Sequence, residues 1–371
     1  MFHNYKVRNL DIKLIIAVIA LTIIGIFVIG SANEANQQKQ ILGMILGIIV
    51  MGVMTIVDYD FILHFHWIYY GLVILLLIAV LVFGDTSGGA TRWIDLGVRF
   101  QPSELAKILL ILFFAWYLML HEENINTPKT IFFVMLFSAV PLFLIESEPD
   151  LSTTIVTLMI ICVMMFVVGL SYKIVGAVLG ITIPAIIILL VLVTRDGQTI
   201  LDEYQGLRIL AWLKPDEYPS SSYQQQNSIM AIGSGQLLGK GLNNDAFDSV
   251  KNGNYISEPH TDFVFAVAGE ELGFVGSALI IILIFFITIE ILLIAKRAKD
   301  LSGKLICVGM ATLIGFQSFV NICVVTGLMP NTGLPLPFVS YGLTSLVTVY
   351  FGIGIVLNVG LQSKNINGRL F

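Results

Sequence analysis

Long apolar runs separated by short polar stretches dominate the chain. They predict helices over residues 14–29, 42–57, 68–83, 103–120, 131–145, 151–170, 174–193, 265–295, 305–328 and 340–361. A helix rising about 1.5 Å per residue needs roughly 17–25 residues to cross a bilayer, and these runs fall near that length, a few marginal or overlong. The expected fold class is therefore all-α integral membrane, with about ten transmembrane helices in a single polytopic domain spanning residues 1–371. The first run follows Lys6, Arg8 and Lys13 and ends near Gly30-Ser31-Ala32, as a signal peptide would. Its length and the spans that follow at once favour an uncleaved first helix. No internal repeat, heptad pattern or low-complexity tract stands out.

The polar intervals set the orientation. Lys296, Arg297, Lys299 and Lys304 lie between the eighth and ninth runs, and Lys364 and Arg369 follow the tenth, whereas residues 329–339 contain no Lys or Arg. Basic connections stay in the cytoplasm, so both termini are expected there. Two intervals then fall outside: residues 84–102, and a large extracytoplasmic loop, 194–261, between helices 7 and 8. A loop of that length is usually functional or disordered. Leu207, Ile209, Leu210, Trp212 and Leu213 between Arg208 and Lys214 suggest an interfacial helix within it.

Composition agrees with a membrane protein: 57% hydrophobic, 12% charged and a mean hydropathy of +0.90. A net charge of -5 argues against a nucleic-acid partner. Cys162, Cys307 and Cys323 sit inside apolar runs without metal-type spacing and are read as buried packing residues. His64 and His66, with Trp67, Tyr69 and Tyr70, read as an interfacial aromatic belt.

Ionisable residues at the rim of a span are costly unless they face water or a partner, which makes Ser257-Glu258-Pro259-His260-Thr261-Asp262-Phe263 and the following Glu270-Glu271 the prime candidate site. Asp262 suits a general base; it also suits a helix N-cap, and the two roles are compatible. Glu258, His260 and Asp262 alternate, so an extended segment would point them one way and offer a weak, oxygen-rich place for Mg²⁺ or Mn²⁺. Asp262 and Glu258 are the candidate ligands. Glu104 and Lys107, three apart on one helix face, predict an intrahelical ion pair or a cavity lining. Glu146, Glu148 and Asp150 form an acidic turn. Arg92, Arg208 and Lys240 are external cations suited to phosphate oxygens, and the glycines at 233, 235, 239 and 241 either bring amides to an anion or are plain turn residues.

Four stretches in order carry a family resemblance: Arg92-Trp93-Ile94 with Gln101-Pro102-Ser103-Glu104; Ala231-Ile232-Gly233-Ser234-Gly235 with Gly239-Lys240-Gly241; residues 257–273; and Pro335-Leu336-Pro337-Phe338-Val339-Ser340-Tyr341-Gly342. Together they resemble the SEDS family of bacterial cell-wall polymerases, RodA, FtsW and SpoVE, along almost the whole chain. Ser152 and Leu343 stand where family members commonly carry Gly. The resemblance implies a peptidoglycan glycosyltransferase of the plasma membrane that polymerises lipid II into β-1,4 glycan and releases undecaprenyl diphosphate. In that picture Asp262 is the catalytic base, and Arg92, Arg208 and Lys240 hold the donor diphosphate. Glu104, Lys107, Glu148, Asp150, Glu258 and His260 line the substrate site. The implied partners are lipid II, the nascent glycan strand, membrane lipid and a class B penicillin-binding protein. The short tails and Arg208–Leu213 lean toward the RodA branch. The rival expectation is a flippase for lipid-linked precursor, with Glu104, Lys107 and Glu148 on a polar path; a third is a scaffold.

Overall fold

The computed structural model describes residues 5, 7–87, 90–95, 97, 99–194, 203–243, 255–256 and 259–363. In chain order its helices are α1 (Ile12–Ala32), α2 (Glu34–Ile56), the short α3 (Tyr59–His64), α4 (His66–Phe83), α5 (Pro102–Leu120), α6 (Pro128–Ser147), α7 (Leu151–Val168), α8 (Tyr172–Val193), α9 (Glu203–Leu213), α10 (Pro219–Ser234), α11 (Val264–Arg297), α12 (Leu301–Val325) and α13 (Leu343–Leu361). Among the described residues ten of these are long and apolar enough to cross a membrane. Their starts follow from capping chemistry. Asp11, Asn33, Thr127, Asp150, Ser171 and Asp300 each accept a hydrogen bond from a backbone N–H of the first turn that has no helical partner.

Helices α5, α12 and α13 form the buried centre, and α13 lies along α2. Small residues permit that approach: a Cβ at Gly47 would strike the Tyr350 ring, and one at Gly354 would strike the Met51 carbonyl. By contrast α8 buries only Val193. Asn9, ahead of α1, and Ser363, just after α13, meet at one end of the bundle, where Asn9 Nδ2 donates to Ser363 Oγ at 3.1 Å. Since successive spans alternate in direction, the opposite end gathers residues 84–87, 90–95, 97, 99–101, 148–150, 203–243, 255–256, 259–263 and 326–342.

Four details depart from expectation. Helix α2 starts at Glu34 rather than 42, because Asn33 caps a polar first turn ahead of the apolar run. Residues 84–102 are not a plain loop: Asp85–Ser87 (β1), Ala90–Asp95 (β2) and Arg99–Phe100 (β3) form an antiparallel sheet in that order. Cys162 is exposed, unlike the buried Cys307 and Cys323. The eighth span is broken at Gly273, whose φ of 65° and ψ of -162° leave the helical region.

The break has a specific partner. It deprives the Glu270 and Glu271 carbonyls and the Phe274 and Val275 amides of helical bonds, and such groups need partners in an apolar medium. Lys240 N and Gly241 N donate to the two carbonyls at 2.9 and 3.0 Å, while Phe274 N and Val275 N donate to Gln236 O and Leu237 O at 2.8 and 3.1 Å. A Cβ at Gly235 or Gly239 would overlap the carbonyl oxygens of Gly269 or Glu271. The glycine run is therefore a backbone splint for the broken helix, its 240 and 241 amides already engaged.

Candidate active site

Asp262 is held by its backbone. Residues 259–263 are turns, not the extended strand expected to point His260 and Asp262 one way. Three successive carbonyls are instead gripped from outside the segment. Tyr341 N donates to His260 O at 2.9 Å. Ser340 Oγ donates to Thr261 O at 2.7 Å, and Asn321 Nδ2 donates to Asp262 O at 2.8 Å. The helix that follows begins with Phe263 at the cap position, one residue after Asp262, and the Phe263 side chain makes no cap bond. The His260 ring meets Tyr341 edge-on, centroids 5.4 Å apart. Glu258 lies outside the described residues.

Around Gly333 the site closes. A Cβ placed on that residue would have Asp262 Oδ2 at 3.3 Å, an Arg92 Nη1 at 3.6 Å and an Arg208 Nη1 at 3.9 Å as its nearest neighbours. A carboxylate from before α11, a guanidinium from β2 and another from α9 thus converge on one bare stretch of backbone. Each arginine is anchored. Arg92 Nε reaches Glu148 O at 3.4 Å and its Nη2 donates to Pro149 O; Asp150 Oδ2 lies 3.8 Å from Nε. Arg208 Nη1 donates to Asn331 O at 3.3 Å. Asp150 itself caps α7 through Thr153 N at 3.1 Å and accepts from Gln101 Nε2 at 3.3 Å, so it positions Arg92 from a buried place.

Glu148 is fully buried, and neither carboxyl oxygen has a hydrogen-bond partner among the described residues. Burial pushes its carboxyl up to about 9; the nearby Asp150 charge adds to this and Arg92 opposes it. Asn321 Oδ1, Asn331 Oδ1 and Thr332 Oγ1 are also buried and unpartnered among the described residues. Unsatisfied polar atoms on α12 and the neighbouring turns suit a place where a polar ligand or water binds.

Glu104 and Lys107 do form the expected pair, at 2.7 Å. Lys107 Nζ also donates to Gln317 Oε1 at 2.6 Å, and Gln317 Nε2 donates to Pro335 O at 3.0 Å. With Asn321 Nδ2 also donating to Leu334 O at 2.7 Å, the buried ion pair acts on the 334–335 loop rather than opening to it. Lys240 pairs with Glu270 at 2.8 Å, eight residues beyond Asp262 in the chain. Among the described residues no three His, Cys, Asp or Glu side chains cluster as metal ligands.

Gln317, Asn321 and Gly333 were not singled out from the sequence. A signal existed for two of them: amides at 317 and 321, four apart, share a face within an otherwise apolar span. Ser152, at a position where Gly is common in the family, donates to Thr332 O at 3.1 Å and ties α7 to the same loop.

A profile for the Cell cycle protein family, FtsW/RodA/SpoVE, matches residues 10–365. The chain belongs to this family. It is 33% identical over 381 residues to a probable peptidoglycan glycosyltransferase FtsW of Geobacter sulfurreducens, covering 97% of each chain. It is also 33% identical over 365 residues to the peptidoglycan glycosyltransferase MrdB of Escherichia coli K12, covering 96% of this chain and 95% of that one. Among solved structures, a chain of a peptidoglycan synthase complex that coordinates polymerization and crosslinking superposes with a TM-score of 0.78 at 30% identity, covering 94% of this chain and 97% of that one. The rod shape determining protein RodA of Thermus thermophilus superposes with a TM-score of 0.67 at 28% identity, covering 94% and 96%. Members of the family are thus all-helical membrane proteins of cell-wall synthesis, and the ten spans fit that description.

Proposed function

We infer that this chain is an integral-membrane peptidoglycan glycosyltransferase that polymerises lipid II. The observation that carries the mechanism is the meeting of Asp262 with Arg92 and Arg208 around Gly333. The acceptor sugar hydroxyl attacks the donor's anomeric carbon. A new C–O bond forms there while the bond to the diphosphate breaks, and the leaving group takes the electron pair. Asp262 receives the hydroxyl proton. The arginines bind the diphosphate oxygens, which already carry charge, so the leaving group needs no proton donor. Asp150 and the carbonyls of Glu148 and Pro149 hold the first guanidinium, and Asn331 O holds the second. Glu104 and Lys107 contribute by positioning the 334–335 loop through Gln317.

The site faces the cell exterior, with both termini in the cytoplasm, in keeping with the Lys and Arg distribution. A class B penicillin-binding protein supplies crosslinking, as the synthase complex with the related chain suggests. Flippase activity gains no support from Glu104 and Lys107, whose charges are closed off by each other and by Gln317.

Purified Asp262→Asn protein in lipid II liposomes is the test. It folds and binds lipid II, and polymerisation falls by at least about 10²-fold. Asp262→Glu recovers little, since a misplacement near 1 Å itself costs about 10²-fold. Normal glycan from well-folded Asp262→Asn protein sinks the mechanism, and lipid II accumulation across vesicles without polymer identifies a transporter.

A further inference from the structure

At the end of the bundle opposite Asp262, a cavity of about 1070 Å³ lies between the turn joining α7 to α8 and the turn joining α11 to α12. Its walls are apolar, with Phe166, Leu170, Leu292, Leu301 and Val308 among them, and its lining includes Lys173, Lys296 and Lys304. These lysines come from three different helices, α8, α11 and α12. None makes an ion pair among the described residues.

The other charges there are accounted for differently. Lys299 is held by Asp60 and Gln362. Asp300 uses one oxygen on Gly303 N and Ser302 Oγ and the other on the Tyr59 hydroxyl. Its carboxylate is thereby committed to capping α12, and Glu122 is the remaining acid in the lining. With Lys299 matched by Asp60, three lysines face the two lining carboxylates, Glu122 and Asp300, so the cavity keeps an excess of positive charge.

We propose that this cavity is a binding site for an anionic phospholipid, its phosphate among Lys173, Lys296 and Lys304 and its acyl chains against the apolar wall. A lipid rather than a free anion follows from the joining of cations to an apolar wall in a helix bundle whose surroundings are lipid. Helix α8 explains why such a ligand matters. It buries only Val193 at its far end, so a headgroup bridging Lys173 to Lys296 and Lys304 ties its near end to α11 and α12. This inference is independent of the catalytic reading.

The test uses the full-length protein in mild detergent, titrated with phosphatidylglycerol or phosphatidylcholine of matched acyl chains and read by native mass spectrometry. The wild type retains phosphatidylglycerol in preference, and Lys173→Gln/Lys296→Gln/Lys304→Gln loses about a hundredfold of that preference. A Lys13→Gln/Lys129→Gln variant, carrying fewer charges elsewhere, keeps it. The exposed or half-exposed lysines have no ion-pair partner among the described residues to lose, so the triple variant stays folded. Equal retention of the two lipids, or undiminished preference in the triple variant, overturns the proposal. Displacement of phosphatidylglycerol by equimolar inorganic phosphate overturns it too, in favour of a free-anion site.

Discussion

Replacing Glu148 by Gln isolates the charge of a buried carboxyl without changing its size. The group is fully buried, and its carboxyl is pushed from an ordinary 4.5 up to about 9 by that burial, reinforced by Asp150 and opposed by Arg92. The folded protein therefore holds the proton more tightly than the unfolded chain does. Its contribution to stability is complete below pH 4.5 and is lost as pH rises toward 9. Each pH unit in that window costs about 1.4 kcal/mol, or on the order of 3 kcal/mol by pH 7. Glutamine cannot ionise and escapes the loss. Thermal unfolding of both proteins in one detergent, scanned from pH 5 to 9, should give nearly matching curves at pH 5. They should diverge by roughly 5 °C at pH 7, with Glu148→Gln the more stable. Infrared difference spectra should assign a protonated carboxyl C=O band to the wild type that vanishes in the variant. Parallel pH profiles, or a wild type that gains on Gln as pH rises, would show that Glu148 is ionised and the burial argument mistaken.

Gly333→Ala adds a methyl 3.3 Å from Asp262 Oδ2 at a residue with φ of 76°. The left-handed backbone costs about 1–2 kcal/mol, and polymerisation should fall at least about tenfold in a protein that still purifies folded; full activity would place the reacting atoms elsewhere. Arg208→Ala should raise the apparent KM for lipid II by roughly ten- to a hundredfold, the loss expected for one charged hydrogen-bond partner. An unchanged KM removes Arg208 from the donor site. For topology, cysteines introduced at Ser221 and Asn331 should react in intact cells with an impermeant thiol reagent, and one at Ser302 should not; the reverse pattern inverts the orientation.

Spans, their order and the clustering of charged residues at the rim of the eighth span were legible because each depends on local composition. An apolar run long enough to cross a bilayer has few alternatives to a helix, and the Lys-rich connection at 296–304 needs no tertiary partner to be read. Asp262 stood out for the same reason, as an acid at the rim of an apolar run. The Glu104–Lys107 pair was legible too, since residues three apart share a helix face.

What surrounds these residues required the folded chain. Local pattern placed Arg92, Arg208 and Asp262 on separate segments, and only tertiary packing brings them together around Gly333. The same holds for the Gly273 break. A lone glycine in an apolar run reads as continuous helix until the 236–241 loop supplies partners for the exposed peptide groups. Lys240 shows the limit most directly: its charge was legible, but its pairing with Glu270, 30 residues away, was not. Hydrophobic length is a property of a segment, whereas satisfying a buried charge or an open backbone bond depends on groups far away in the chain.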